Sequence, residues 1–68
     1  MRLREIRKAK GISQLKLAMD LSTTQNTISR YETGAHEPGI KELIRIADYF
    51  QISVDYLLER TDNPKMAK

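Results

Sequence analysis

Apolar residues along the chain recur at intervals of three and four, in bursts separated by polar punctuation, and this pattern predicts helices throughout. Leu3 and Ile6, with Ala9 three further on, share a face of a first helix over about residues 2 to 10, and Gly11 supplies the left-handed residue that ends it. Ile12 stands where an apolar residue folds back onto the helix just finished. Ser13 is a favoured N-cap for a second helix from Gln14 to about Leu21, with Leu17, Ala18 and Leu21 as its apolar stripe. Ser22, Thr23 and Thr24 break the pattern, and Thr24 caps a third helix from Gln25 to about Thr33, in which only Ile28 and Tyr31 are strongly apolar. Gly34 ends that helix, and a turn containing Pro38 and Gly39 leads into a fourth, periodic in Ile40, Leu43, Ile44, Ala47 and Phe50. Ser53 caps a short fifth helix through about Glu59, with Val54, Leu57 and Leu58 facing inward. No segment alternates as a strand would.

The length predicts one domain, residues 1–60, followed by a short flexible tail, 61–68, with no second, regulatory domain expected. Without cysteine, neither disulfides nor thiolate metal sites support the fold, so it rests on apolar packing. No apolar run approaches a membrane span, and the first residues lack the hydrophobic centre of a signal peptide, which makes a cytoplasmic protein the expectation. A single histidine, His36 beside Glu37 in a turn, gives neither a metal site nor a nucleophile with its base, so no catalytic residue and no cofactor are expected.

The net charge of +3 permits nucleic-acid binding without demanding it. Its distribution says more, because residues 1–16 hold +5 and the rest sum to −2. Such a cluster is either a solvated helix face or an electrostatic footprint, and a motif beside it must decide. The third helix offers that motif. Gln25, Asn26, Ser29 and Arg30 fall on the face opposite Ile28 and Tyr31 and form an array of hydrogen-bonding groups. Gln and Asn pair bidentately with adenine and Arg with guanine on the major-groove edge, whereas a merely solvated helix favours Glu and Lys.

The stretch KGISQLKLAMDLSTTQNTISRYETG, then Glu37-Pro38, then IKELIRIADYFQISVDYLL, resembles the Cro and phage-repressor type of helix-turn-helix regulators, the Xre family. Gln14, Ala18, Ile28, Glu32 and Gly34 fall at positions that the family pattern marks, and the match covers about residues 3 to 58. The resemblance implies a five-helix, all-α, lambda-repressor-like DNA-binding domain. It implies a transcriptional repressor acting by operator occupancy, with the third helix in the major groove. On this likeness Thr24, Gln25, Asn26 and Arg30 reach base edges with Ser29 peripheral, Ser13 and Gln14 grip a phosphate, and Thr33 and His36 approach the neighbouring backbone. Arg7 and Glu32 are expected to form a structural ion pair. The implied partner is double-stranded DNA with a two-fold operator, bound by a homodimer touching through Pro38, Ile40, Val54 and Leu57, of which Leu57 serves equally well as core.

Three departures stand out. Ser22 occupies a turn position usually held by glycine, so a left-handed conformation there costs about 1–2 kcal/mol. Ala35 replaces a frequent basic residue and Glu37 adds negative charge, which predicts a shallow salt dependence. Leu15 and Met19, four apart on the second helix, form an apolar strip off the core stripe that either is ordinary exposed surface or meets a protein partner. A pure protein-interaction module is the main rival, and the intact Gln25, Asn26 and Arg30 argue against it.

Overall fold

In the computed structural model, which describes residues 1–65, the chain forms helices α1 (Leu3–Ala9), α2 (Gln14–Asp20), α3 (Gln25–Thr33), α4 (Ile40–Phe50) and α5 (Val54–Leu57). Three of these begin on the expected hydroxyl caps. Ser13 Oγ accepts from the Lys16 amide at 3.0 Å, Thr24 Oγ1 from the Thr27 amide at 3.2 Å and Ser53 Oγ from the Tyr56 amide at 3.0 Å. Each cap satisfies a backbone donor that the first turn leaves unpaired, and is worth about 1 kcal/mol. Gly11 and Gly34 adopt positive φ and turn the chain out of α1 and α3. Ser22 does the same after α2, at φ 56°, so the strained conformation expected of the α2–α3 turn is present.

Every helix contributes one fully buried aliphatic residue to a single core: Leu3, Leu17, Ile28, Ile46 and Leu57. With so few elements, truncating any of these to alanine removes about 2–5 kcal/mol, a large share of the stability of so small a domain. Ala18, Leu21, Tyr31, Ala47, Phe50 and Ile52 complete the cluster, and Ile12 and Val54 pack against it half-buried.

The periodic pattern placed some residues on the wrong face. Ile44 is exposed and Ile40 is 77% exposed, whereas Ile46 is completely buried. The buried face of α4 centres on Leu43, Ile46, Ala47 and Phe50, which puts Ile44 roughly 110° away around the helix and leaves Ile40 overhanging its first turn. Ala9 is exposed at the end of α1. Leu58 lies past the end of α5, which stops two residues earlier than expected, and is also exposed.

The segment expected to trail off from residue 61 is held at several points where it is described. Arg2 donates to the Thr61 carbonyl at 3.1 Å and to Asp62 at 2.9 Å, its guanidinium lies over the Tyr56 ring, and the Ser53 amide donates to the Pro64 carbonyl at 3.0 Å. The last three positions of the expected tail, 66–68, lie outside the described residues. Among the described residues no helix is long and apolar enough to cross a membrane.

Candidate nucleic-acid interface

The helix α3 is anchored by its narrow apolar edge, Ile28 and Tyr31, with the Glu32 side chain buried beside it, so the opposite side of the helix faces outward. Gln25, Asn26 and Arg30 are exposed on that side, and Ser29 is half-buried beside them. Gln14, at the start of α2, joins Gln25, Asn26 and Ser29 around a shallow surface depression. The structure therefore brings the first residue of α2 together with residues of α3 that lie 11 to 15 positions further along the sequence. Ser13 and Thr24 are exposed, but each side chain is already committed to capping its own helix.

At the far end of α3 the Thr33 hydroxyl donates to the Arg30 carbonyl at 3.3 Å, and the His36 amide reaches the same carbonyl. The His36 ring stacks on Tyr31, with centroids 5.7 Å apart, which fixes the turn after Gly34 against the helix. Both residues stay exposed on the side of Arg30.

Behind the exposed face lies the expected ion pair. Arg7 of α1 meets Glu32 of α3 in a two-pronged contact, Nε to Oε2 at 2.6 Å and Nη2 to Oε1 at 3.1 Å, and its Nη1 donates to the Ile12 carbonyl at 2.9 Å. The Glu32 side chain is only 2% exposed. Burial pushes its carboxyl up, but hydrogen bonds from Arg7 and Gln14, with the charges of Arg7 and Arg4, outweigh that and hold it below the ordinary glutamate value. The hydrogen bond to Glu32 likewise raises Arg7, against the opposing cost of burial. Among the described residues no buried side-chain polar atom lacks a partner.

Three contacts were not readable from spacing. Gln14 Nε2 donates to Glu32 Oε1 at 3.0 Å, and Gln25 Nε2 approaches Gln14 Oε1 at 3.5 Å, so the ion pair continues outward as a chain of side chains. Arg45 of α4 donates to the Leu21 carbonyl at 2.7 Å and ties α4 to the start of the α2–α3 turn. Leu57, named with Pro38, Ile40 and Val54 for a contact between copies, is completely buried and belongs to the core; the other three reach the surface. Leu15 and Met19 are exposed, at 53% and 68%. Among the described residues no three His, Asp or Glu side chains gather as metal ligands would.

The family model described as helix-turn-helix matches residues 3–57, which spans all five helices. The chain belongs to the helix-turn-helix family, in its Cro and phage-repressor branch. Relatives of this helix-turn-helix domain include an uncharacterised HTH-type transcriptional regulator, YqaE, of Bacillus subtilis, 38% identical over 94% of this chain and 55% of its own length. The HTH-type transcriptional regulator ImmR of the same organism is 31% identical over 94% of this chain and 50% of its own. The cryptic phage CTXphi transcriptional repressor RstR of Vibrio cholerae is 34% identical over 87% and 53%. The chain thus spans about half the length of the curated relatives it matches. No solved structure matches it significantly.

Proposed function

We propose that this domain is the sequence-reading part of a transcriptional repressor that works by occupying its operator, with α3 lying in the major groove. The observation that carries the reading is the geometry of α3: one edge buried, and Gln25, Asn26 and Arg30 exposed together on the other side with no packing role. These side chains supply the bidentate donors and acceptors that distinguish adenine and guanine in that groove. Thr24 and Ser29 flank them as minor base contacts. Ser13 and Gln14 at the start of α2, with Thr33 and His36 beyond α3, take the phosphates on either side and set register without reading sequence. The name of RstR, a repressor, supports the sign of regulation.

One recognition helix reads few base pairs, so two copies bind a two-fold operator with half-sites about 34 Å apart. Pro38, Ile40 and Val54 form the contact between them. A cytoplasmic location, no cofactor and no catalysis accompany this reading.

Selection of bound duplexes from a randomised pool, at near-physiological salt, tests it with wild type and Arg30→Ala side by side. A two-fold site is expected, relaxed at one base position by the substitution at a cost of about 1–3 kcal/mol. No enrichment, with binding that fades uniformly as salt rises, would reduce the domain to a non-specific polycation and sink the proposal.

A further inference from the structure

We infer that Arg2 is a positioning residue for the contact between copies: it holds the one-turn helix α5 in the orientation that presents Val54 to a second copy of the chain. The inference rests on the proposed dimer, in which Val54 acts with Pro38 and Ile40. It starts from length. A helix of four residues, Val54–Leu57, is too short to persist alone, and its carbonyls find no partner within it. Leu57 pins α5 to the core at one point, so the direction of Val54 around that point depends on what holds the two ends. At the N-terminal end the hold is the Ser53 hydroxyl, which accepts from the Tyr56 amide at 3.0 Å.

At the C-terminal end every carbonyl of the turn is taken, and Arg2 takes part twice. The Leu58 and Arg60 amides donate to the Val54 and Asp55 carbonyls at 2.9 and 2.8 Å. The Tyr56 carbonyl accepts from the Glu59 amide at 3.1 Å and from Arg2 Nε at 2.9 Å, and the Leu57 carbonyl accepts from the Arg2 amide at 2.8 Å. Glu59, at φ 64°, turns the chain back at a position where helices usually place glycine. Arg2 holds the returning segment as well, Nη2 donating to the Thr61 carbonyl at 3.1 Å and to Asp62 at 2.9 Å, while its guanidinium lies 4.6 Å over the Tyr56 ring. The Ser53 amide closes the loop on the Pro64 carbonyl. A single side chain, only 18% exposed, thus joins α5 to the segment that follows it. A guanidinium suits this place, because its N–H donors lie in a fixed fork and a helix C-terminus favours a cation. All of these hydrogen bonds lie on α5 and the segment after it and none on α3, so losing them should disturb the pairing of copies rather than the reading of bases.

The test titrates wild type, Arg2→Met, Arg2→Lys and Val54→Asp onto two duplexes at one salt concentration, the selected two-fold site and a single half-site. Wild type should bind the two-fold site cooperatively and the half-site weakly. Arg2→Met should lose about tenfold on the two-fold site and less than about twofold on the half-site. Arg2→Lys keeps the charge, but one ammonium cannot serve both carbonyls and the carboxylate, so it should lose about threefold on the two-fold site alone. Should Arg2→Met fail to fold by thermal melt, Arg2→Lys decides alone. Equal losses on the two duplexes, or none, overturn the inference and leave Arg2 as a support of the fold or a part of the net charge. Val54→Asp separates this failure from that of the dimer: if it abolishes cooperativity the proposed contact between copies stands, and if it binds as wild type does the contact and the inference fall together. Failure of wild type to select a two-fold site also overturns both.

Discussion

Two polar clusters meet helix α2, and they are built from similar parts. On one side Arg7, Gln14 and Glu32 join α1, α2 and α3; on the other Lys16 reaches Asp20 within α2 at 2.8 Å, and Tyr49 of α4 donates to the same carboxylate. What separates them is water. The Arg7 and Glu32 side chains are 10% and 2% exposed, whereas Lys16 and Asp20 are 58% and 29% exposed. In water an ion pair exchanges one good partner for another, so its net worth is small; behind the surface neither group has a substitute partner. The comparison teaches that the distance between charges says little about stability until the medium around them is known.

Arg7→Met breaks the buried cluster in the costly way, leaving a carboxylate without its cation. A loss of about 3–5 kcal/mol is expected in urea unfolding. Arg7→Met/Glu32→Met should recover most of it, since the uncompensated charge is gone. Equal losses in the single and double variants would show that packing of the arginine stem, rather than charge, holds α1 to α3.

Acid sharpens the same contrast. Glu32 is held below its ordinary value in the folded chain, so the unfolded chain takes up the proton first. Its contribution is complete above about pH 4.3, the ordinary glutamate value, and is lost as pH falls through the lower folded value. Asp20 is lowered too, by its bonds from Lys16 and Tyr49. The urea midpoint should therefore fall between neutral pH and pH 3. In Arg7→Met the burial of Glu32 remains while its main stabiliser is absent, and the acid limb should flatten. An unchanged limb would assign the acid sensitivity to other carboxylates.

Much of this was legible in the sequence, for identifiable reasons. Caps and left-handed stops act through residues one to three positions away, so Ser13, Thr24, Ser53, Gly11 and Gly34 could be read locally, and the helices followed. Five amphipathic helices joined by short turns then left an all-α packing as the economical arrangement. Ile40, Ile44 and Ile46 could not be sorted, because α4 is apolar around much of its girth and only the neighbouring helices decide which side is core. The outward face of α3 was legible for the opposite reason, having just two apolar anchors. The contacts of Gln14 with Glu32 and Gln25 had no local signal, since they depend on how closely α2 and α3 approach. Pairing Arg7 with Glu32 came from family resemblance, and the geometry supplied its burial.

Ser22 tests the turn that lies beside the outer cluster, where Arg45 already grips the Leu21 carbonyl. At φ 56° a serine carries about 1–2 kcal/mol of strain that glycine would not. Glycine also frees the unfolded chain, at a cost of about 0.4–1 kcal/mol. Ser22→Gly should therefore stabilise the domain by roughly 0.5–1 kcal/mol in thermal unfolding. Destabilisation would mean that the left-handed serine is not strained here.

The smallest expected effect belongs to the outer cluster itself. Asp20→Asn removes its shared carboxylate, yet both partners stay solvated, and the thermal midpoint should stay close to that of wild type. Silence in stability does not mean that the contact is absent, and a second measurement separates the two. Tyr49 is raised above the ordinary tyrosine value chiefly by its hydrogen bond to Asp20, whereas Tyr31 is raised chiefly by burial. In an ultraviolet titration of Asp20→Asn, one tyrosine should ionise at lower pH than in wild type and the buried one should not move. That outcome would show a contact made in solution but worth little to the fold, as the comparison of the two clusters requires. A clear drop in the thermal midpoint would instead place the outer cluster beside the buried one, and burial would lose its standing as the deciding variable.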